Sequence, residues 1–129
     1  ETSSAIAARV RVAREIQACR FAGCSIHVNA EMSGEMTDRF CNLTDECKVL
    51  IEELANRLGL SARAFTRILK LSRTIADLEV AREICEKQGS YEEYIQEQLA
   101  NDCSWPHIQP RHIMEAVGYR FLDRMNMMM

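Results

Sequence analysis

Residues 61–78 read Ser-Ala-Arg-Ala-Phe-Thr-Arg-Ile-Leu-Lys-Leu-Ser-Arg-Thr-Ile-Ala-Asp-Leu. Wound as a helix, the stretch sorts into two faces. Ala64, Phe65, Ile68, Leu71, Ser72, Ile75 and Leu78 recur at three- and four-residue steps, as a stripe packed on a core does. Arg63, Arg67, Lys70 and Thr74 take the other side. Four cations and no acid lie between Ser61 and Ile75, in a chain whose formal net charge is −3. Ser61 can cap the helix through its hydroxyl, and Gly59 can end the preceding helix in a left-handed conformation. Arg63 then falls in the first turn, where a cation opposes the helix dipole by roughly 0.3–1 kcal/mol. A cation kept there invites a reason beyond helix stability, and an anionic partner supplies one.

Upstream, Cys47, Leu50, Ile51, Leu54, Ala55 and Leu58 give a strong helical period over Asp45–Leu58, with Thr44 as its cap. Downstream the character changes. Residues 79–103 hold Glu79, Glu83, Glu86, Glu92, Glu93, Glu97 and Asp102 against Arg82 and Lys87, a net of −5, so the rest of the chain is +2. The pattern predicts helix to about Lys87, a break at 88–90, and a second helix with Tyr91, Tyr94, Ile95 and Leu99 inward, closed by Asp102 to Pro106. A last helix starts at Pro110, where a missing N–H costs nothing, and turns Ile113, Ala116, Val117, Phe121 and Tyr119 to the core. Met125 to Met129 reads as a frayed, disordered tail.

At the other end, residues 3–21 form a basic amphipathic segment, with Ile6, Val10, Ala13 and Ile16 among Arg9, Arg11, Arg14 and Arg20. Thr2, Ser3 and Ser4 are its cap candidates, and so thin a stripe calls for a partner surface. Residues 22–43 read as loop with a short helix from Gly34 to Phe40. No segment alternates with period two. The expectation is one all-α domain over residues 1–129, a bundle of about five to six helices.

Composition bounds the class. At 129 residues, 47% hydrophobic and 27% charged, the chain suits one globular domain rather than a disordered or membrane protein, and no apolar run reaches the length of a membrane span. It begins with Glu1 and shows no leader, which reads as a piece of something longer. Cys19, Cys24, Cys41, Cys47, Cys85 and Cys103 include no C-x-x-C pair and read as reduced thiols used as small apolar residues. His27, His107 and His112 lack the paired spacing of a zinc site, so no metal is expected.

The cationic face of residues 61–78 admits three readings from its residues alone. A charge run on a helix is usually a solvated face with no ligand, which would make the chain an interaction domain. Alternatively, Glu53 to Ser61 resembles the first helix and turn of a helix-turn-helix, with Ala55, Gly59 and Phe65 where two helices would cross, and Arg63, Arg67 and Lys70 offered to DNA. A pI near 5.6 speaks against that. The third reading is phosphate recognition.

That third reading draws on a resemblance. Leu60 to Leu78 closely resembles the C-terminal signature of the magnesium-chelatase-like AAA+ ATPases, the competence-protein ComM/YifB group. Ile6, Arg9-Val10, Ala13-Arg14, Gln17 and Arg20 are similar to that family's helix before the lid, Asn29-Ala30 to its following loop, and Ile108 through Arg120 to its closing helix. The resemblance implies a helical lid packed against the parent's own N-terminal nucleotide-binding domain, in a ring of like subunits, in the cytoplasm and without a membrane. ATP with magnesium would be the parent's cofactor; none is expected for this chain by itself. Arg63, placed in Ser-x-Arg, would be the sensor-2 arginine, with Arg67 second. The implied activity is ATP hydrolysis coupled to remodelling, of DNA during recombination or uptake, with chelation of magnesium into a porphyrin a more remote member activity. The sequence has no G-x-x-x-x-G-K-[ST] loop, so this chain should not hydrolyse ATP alone. Arg73, nearer the buried side, is expected to pair with Asp77 at i+4 or to hold the turn after the helix. In the family the Asp-Leu that closes the signature is followed after a short connection by the Ile-x-Pro-x-His-Ile helix. Here 29 residues separate Leu78 from Ile108, so most of 79–104 is expected to be an acidic helical insertion, a soluble hairpin by default.

Overall fold

A computed structural model describes residues 2–87 and 90–128, those from 120 onward by their backbone alone. Its elements follow the capping chemistry closely. Helix α1 (Ser3–Arg20) starts where Thr2 Oγ1 accepts the Ala5 N–H at 3.1 Å. A single 3₁₀ turn (Asn29–Glu31) and the short α2 (Gly34–Phe40) follow. Thr44 caps α3 (Asp45–Leu58), and Gly59 ends it at φ +63°, the left-handed value that a side chain resists. Ser61 caps α4 (Ala62–Glu86), whose 25 residues span about 37 Å. Then come α5 (Glu92–Asn101) and α6 (Pro110–Met128), the latter helical through most of the expected tail. Met129 lies outside the described residues, as do the side chains of Phe121 and Met125. The described residues contain six α-helices and no strand, and no helix is long and apolar enough to cross a membrane.

Helix α4 is the spine of two apolar cores. The larger gathers Phe21, Phe40, Cys47, Ile51, Ile68 and Ile113 from α1's end, α2, α3, α4 and α6, with Phe21 and Phe40 edge to face at 5.1 Å between centroids. The smaller joins Val12, Ala13 and Ile16 of α1 to Ala81 and Ile84 of α4 and Ile95 of α5. Helix α1 therefore finds its cover within the chain over its second half, whereas Ile6, expected on the packed stripe, is 42% exposed.

Two other expectations are corrected. The buried face of α4 is rotated from the apolar stripe: Arg73 and Asp77 are fully buried, while Phe65, Leu71, Ile75 and Leu78 are only half-buried. Across the acidic stretch α4 continues past Leu78 to Glu86, close to the expected end, and α5 packs on α1 through Ile95. Tyr94 does not face inward. Its ring stands edge-on to Trp105 at 5.9 Å and stays 47% exposed; Tyr119 is likewise half-exposed.

The start of α6 explains the Ile-x-Pro-x-His-Ile pattern physically. Ile108 and Ile113 are buried, Pro110 occupies the first helical position, and His112 Nδ1 accepts the Gln109 N–H at 2.9 Å, capping the helix from its third residue. With Nδ1 accepting, the ring proton sits on Nε2 and points to Glu79 Oε2, 3.1 Å away. Arg111 grips the same carboxylate through Nε and Nη2. This clamp joins α6 to α4 and holds Glu79 down to about 2, the Arg111 hydrogen bonds first among the causes. A carboxyl whose folded pKa is depressed stabilises the fold above its unfolded pKa and loses that contribution as pH falls through the folded value. Glu79→Gln is therefore expected to flatten the acid limb of stability between about pH 4.5 and 2, read by urea denaturation across that range.

Candidate functional site

A polar stripe descends α4 at three- and four-residue steps through Arg63, Arg67, Lys70, Thr74 and Asp77. Its upper end is open and its lower end is sealed. At the bottom, Arg20 donates to both oxygens of Asp77, at 2.6 and 2.8 Å, in the two-pronged geometry that a guanidinium and a carboxylate favour. Arg20 also donates to Asn29 Oδ1 at 3.0 Å and to the Trp105 carbonyl at 2.8 Å. Asn29 Nδ2 in turn reaches Asp77 Oδ2 at 2.8 Å and Thr74 Oγ1 at 3.1 Å, and the Asn29 N–H is taken by Gln17 Oε1.

Arg73 completes the cluster from one turn before Asp77. Its Nε lies 3.7 Å from Asp77 Oδ1, and its Nη1 donates to the carbonyls of Phe40 and Ser104 at 3.1 and 2.6 Å. The structural role expected for Arg73 is the one observed. Two guanidiniums thus share one carboxylate, all three side chains fully buried, and Arg20 Nε and Arg73 Nε and Nη2 find no hydrogen-bond acceptor among the described residues. Burial pulls Arg73 down to about 10, with Asp77 working against it, so it stays cationic at neutral pH. Nearby, burial pushes the Cys41 thiol up to about 11 despite the two arginines, which leaves it protonated and unreactive as a nucleophile.

This cluster fastens five segments at one point: the end of α1, the 3₁₀ turn, the end of α2, the middle of α4 and the loop before α6. Arg20, Asn29 and Asp77 each stand out in the sequence, but nothing local joins them. Arg20 and Asp77 stand 57 residues apart, and no local spacing encodes such a meeting.

Higher on the stripe, Lys70 Nζ donates to the Ala30 carbonyl at 3.2 Å, which ties α4 to the 3₁₀ turn. Arg63 and Arg67 are exposed, one turn apart near the start of α4, and neither makes a hydrogen bond or ion pair among the described residues. The three cations considered for DNA therefore do not form one open set. Helix α3 packs chiefly on α6 rather than crossing closely over α4. The two open guanidiniums can take an anion; the chemistry of a phosphate tail matches their fixed charge and planar donors.

Among the described residues no three histidine, cysteine or carboxylate side chains converge as metal ligands. His107 pairs with Asp102 at the surface, and both nitrogens of His112 are engaged. The six cysteines carry free thiols, with Cys41 and Cys47 buried.

Comparison with known proteins gives a consistent answer. Residues 1–90 match the family described as magnesium chelatase, subunit ChlI C-terminal. Over 125 residues, 97% of the chain, it is 37% identical to competence protein ComM of Haemophilus influenzae, 31% to the uncharacterized protein YifB of Salmonella typhimurium and 32% to YifB of Escherichia coli. The matched stretch is 19% of each relative, so the chain spans about a fifth of their length. No solved structure matches it.

Proposed function

The chain belongs to the magnesium chelatase, subunit ChlI C-terminal family, and from that premise we propose that it is the helical lid of an AAA+ ATPase, with Arg63 as its nucleotide sensor and Arg67 beside it. One observation carries the reading. Among the cations of the 61–78 signature, Arg73 is locked inside the fold and Lys70 is tied to Ala30, while Arg63 and Arg67 are left open toward solvent at the cationic end of α4. A residue that opposes the helix dipole and gives the fold no contact is suited to a ligand.

In the parent protein, Arg63 and Arg67 would hold the phosphate end of ATP. Bound ATP with magnesium supplies the cleavable phosphoryl group and the charge that neutralises it. The arginines contribute fixed positive charge and directed N–H donors that follow the phosphate oxygens from substrate to product. Magnesium would be held by the nucleotide-binding domain of the parent. The partners are then the parent's own N-terminal nucleotide-binding domain and neighbouring subunits of a ring. The buried cluster keeps the lid stiff, so that a pull at Arg63 moves the bundle as a body. The work done is remodelling of DNA, in the cytoplasm.

A stand-alone helix-turn-helix module gains nothing from the geometry, because Lys70 is engaged and α3 leans on α6. The reading requires that the full-length protein carry a G-x-x-x-x-G-K-[ST] loop ahead of this domain; a complete coding sequence without one overturns it. It also orders the cations. Lys70→Ala in the full-length protein should leave steady-state ATP turnover near that of the unmodified enzyme, whereas Arg67→Ala should lower it. An equal loss at both positions would mean that the Ala30 tie does not set Lys70 apart.

A further inference from the structure

Helices α1 and α5 lie side by side, joined by the Tyr91 hydroxyl donating to Glu15 Oε1 at 3.3 Å and by the shared core of Ile16 and Ile95. Their outer faces have opposite charge. Helix α1 carries four arginines against one acid, and α5 carries three glutamates and no base. Arg20 is buried, but Arg11 and Arg14 are exposed and make no hydrogen bond or ion pair among the described residues. Glu93 and Glu97 on α5 are exposed and equally unpaired. Glu93 has a local reason to be acidic, since it sits in the first turn of its helix. Glu97, one turn on, has none.

Small side chains flank the charges on each helix. Over α1 a shallow depression is lined by Ala7, Val10, Arg11, Arg14, Glu15 and Ala18, all of that helix, with the small Ala7 and Ala18 beside the two arginines. Gln96 and Ala100 lie exposed beside Glu97 on α5. A positive ridge beside a negative ridge is self-complementary under a two-fold rotation, in which residue i meets residue j twice. We infer that this face pairs two copies of the chain, with Arg11 and Arg14 of each facing Glu93 and Glu97 of the other. The occupant is a second copy because the matching acidic surface is present in the same chain, on the helix packed beside α1. The inference is independent of the nucleotide reading, which concerns the opposite end of α4.

Exposed ion pairs contribute little singly and are screened by salt, so the dimer should be weak and salt-sensitive. Sedimentation equilibrium of the 129-residue chain should show a dimer at about 20 mM salt that dissociates near 1 M, where the screening length falls to about 3 Å. Arg11→Glu with Arg14→Glu, or Glu93→Arg with Glu97→Arg, should each weaken self-association by at least about tenfold, because like charges then face each other. Mixing the two reversed variants should restore a dimer, since every reversed charge meets its opposite. Circular dichroism checks that each variant keeps its helices; where a reversal unfolds the chain, the neutral changes Arg11→Gln and Arg14→Gln replace it and should also weaken the dimer. A chain monomeric at low salt, a dimer indifferent to both reversals, or a mixture that fails to re-pair overturns the proposal.

Discussion

Asp77→Ala is expected to destabilise the domain by about 3–5 kcal/mol, the cost of leaving buried charge without its partner, and to do so without touching any surface residue. The reason lies in the charge count of the cluster. Asp77 is the single carboxylate between Arg20 and Arg73, and it also receives the Asn29 amide. Removing it leaves two fully buried guanidiniums that repel each other where no water reaches them. Arg73→Met removes one of two cations and leaves Arg20 matched one to one with Asp77, so its charge penalty is smaller, although the Phe40 and Ser104 carbonyls lose a donor. Thermal unfolding of the isolated chain should therefore rank Asp77→Ala below Arg73→Met, with a fall in Tm on the order of 10–20 °C for the former. A loss under about 1 kcal/mol would mean that the cluster does not bind the five segments together.

The contrast between this cluster and the rest of the fold shows which information is local. Thr44, Gly59, Ser61 and Pro110 act within three or four residues of themselves, and each does what its type and place predict. The break expected at 88–90 falls largely outside the described residues, while the short helix Gly34–Phe40 is legible for the same reason. The rotation of α4 was not, because periodicity assigns faces by apolarity, and here the innermost side chains include an arginine and an aspartate. They are stable inside only because partners arrive from α1, the 3₁₀ turn and two loops. Tyr94 and Ile6 fail the same rule in the other direction, apolar residues on helical stripes that extend past the element meant to cover them.

The candidate site was legible by composition and became sharper by subtraction. A run with four cations offered four possible ligands. The helical pattern sets Arg73 apart by its nearness to the buried side, and the geometry that holds it there is the Asp77 pair and two carbonyls. The engagement of Lys70 had no signal in the sequence, since its acceptor is a backbone carbonyl 40 residues away. What remains is a pair of arginines one turn apart, in a chain that shares about a third of its residues with ComM and YifB over nearly its whole length.

The second large effect is at Arg63, and it should separate function from fold. The side chain is exposed and contacts nothing among the described residues, so Arg63→Ala should shift stability by no more than about 0.5 kcal/mol, and upward if at all, since a cation leaves the first turn of α4. A hydrogen bond from a guanidinium to a phosphate is worth about 1.5–3 kcal/mol, which corresponds to a loss of roughly 10- to 100-fold in rate if it is made in the transition state. The decisive measurement is steady-state ATP turnover by the full-length protein carrying Arg63→Ala, with thermal unfolding of the same sample. The account predicts turnover reduced at least about tenfold with Tm unchanged. Turnover equal to that of the unmodified protein would take Arg63 out of the nucleotide site and with it the proposed role of the lid.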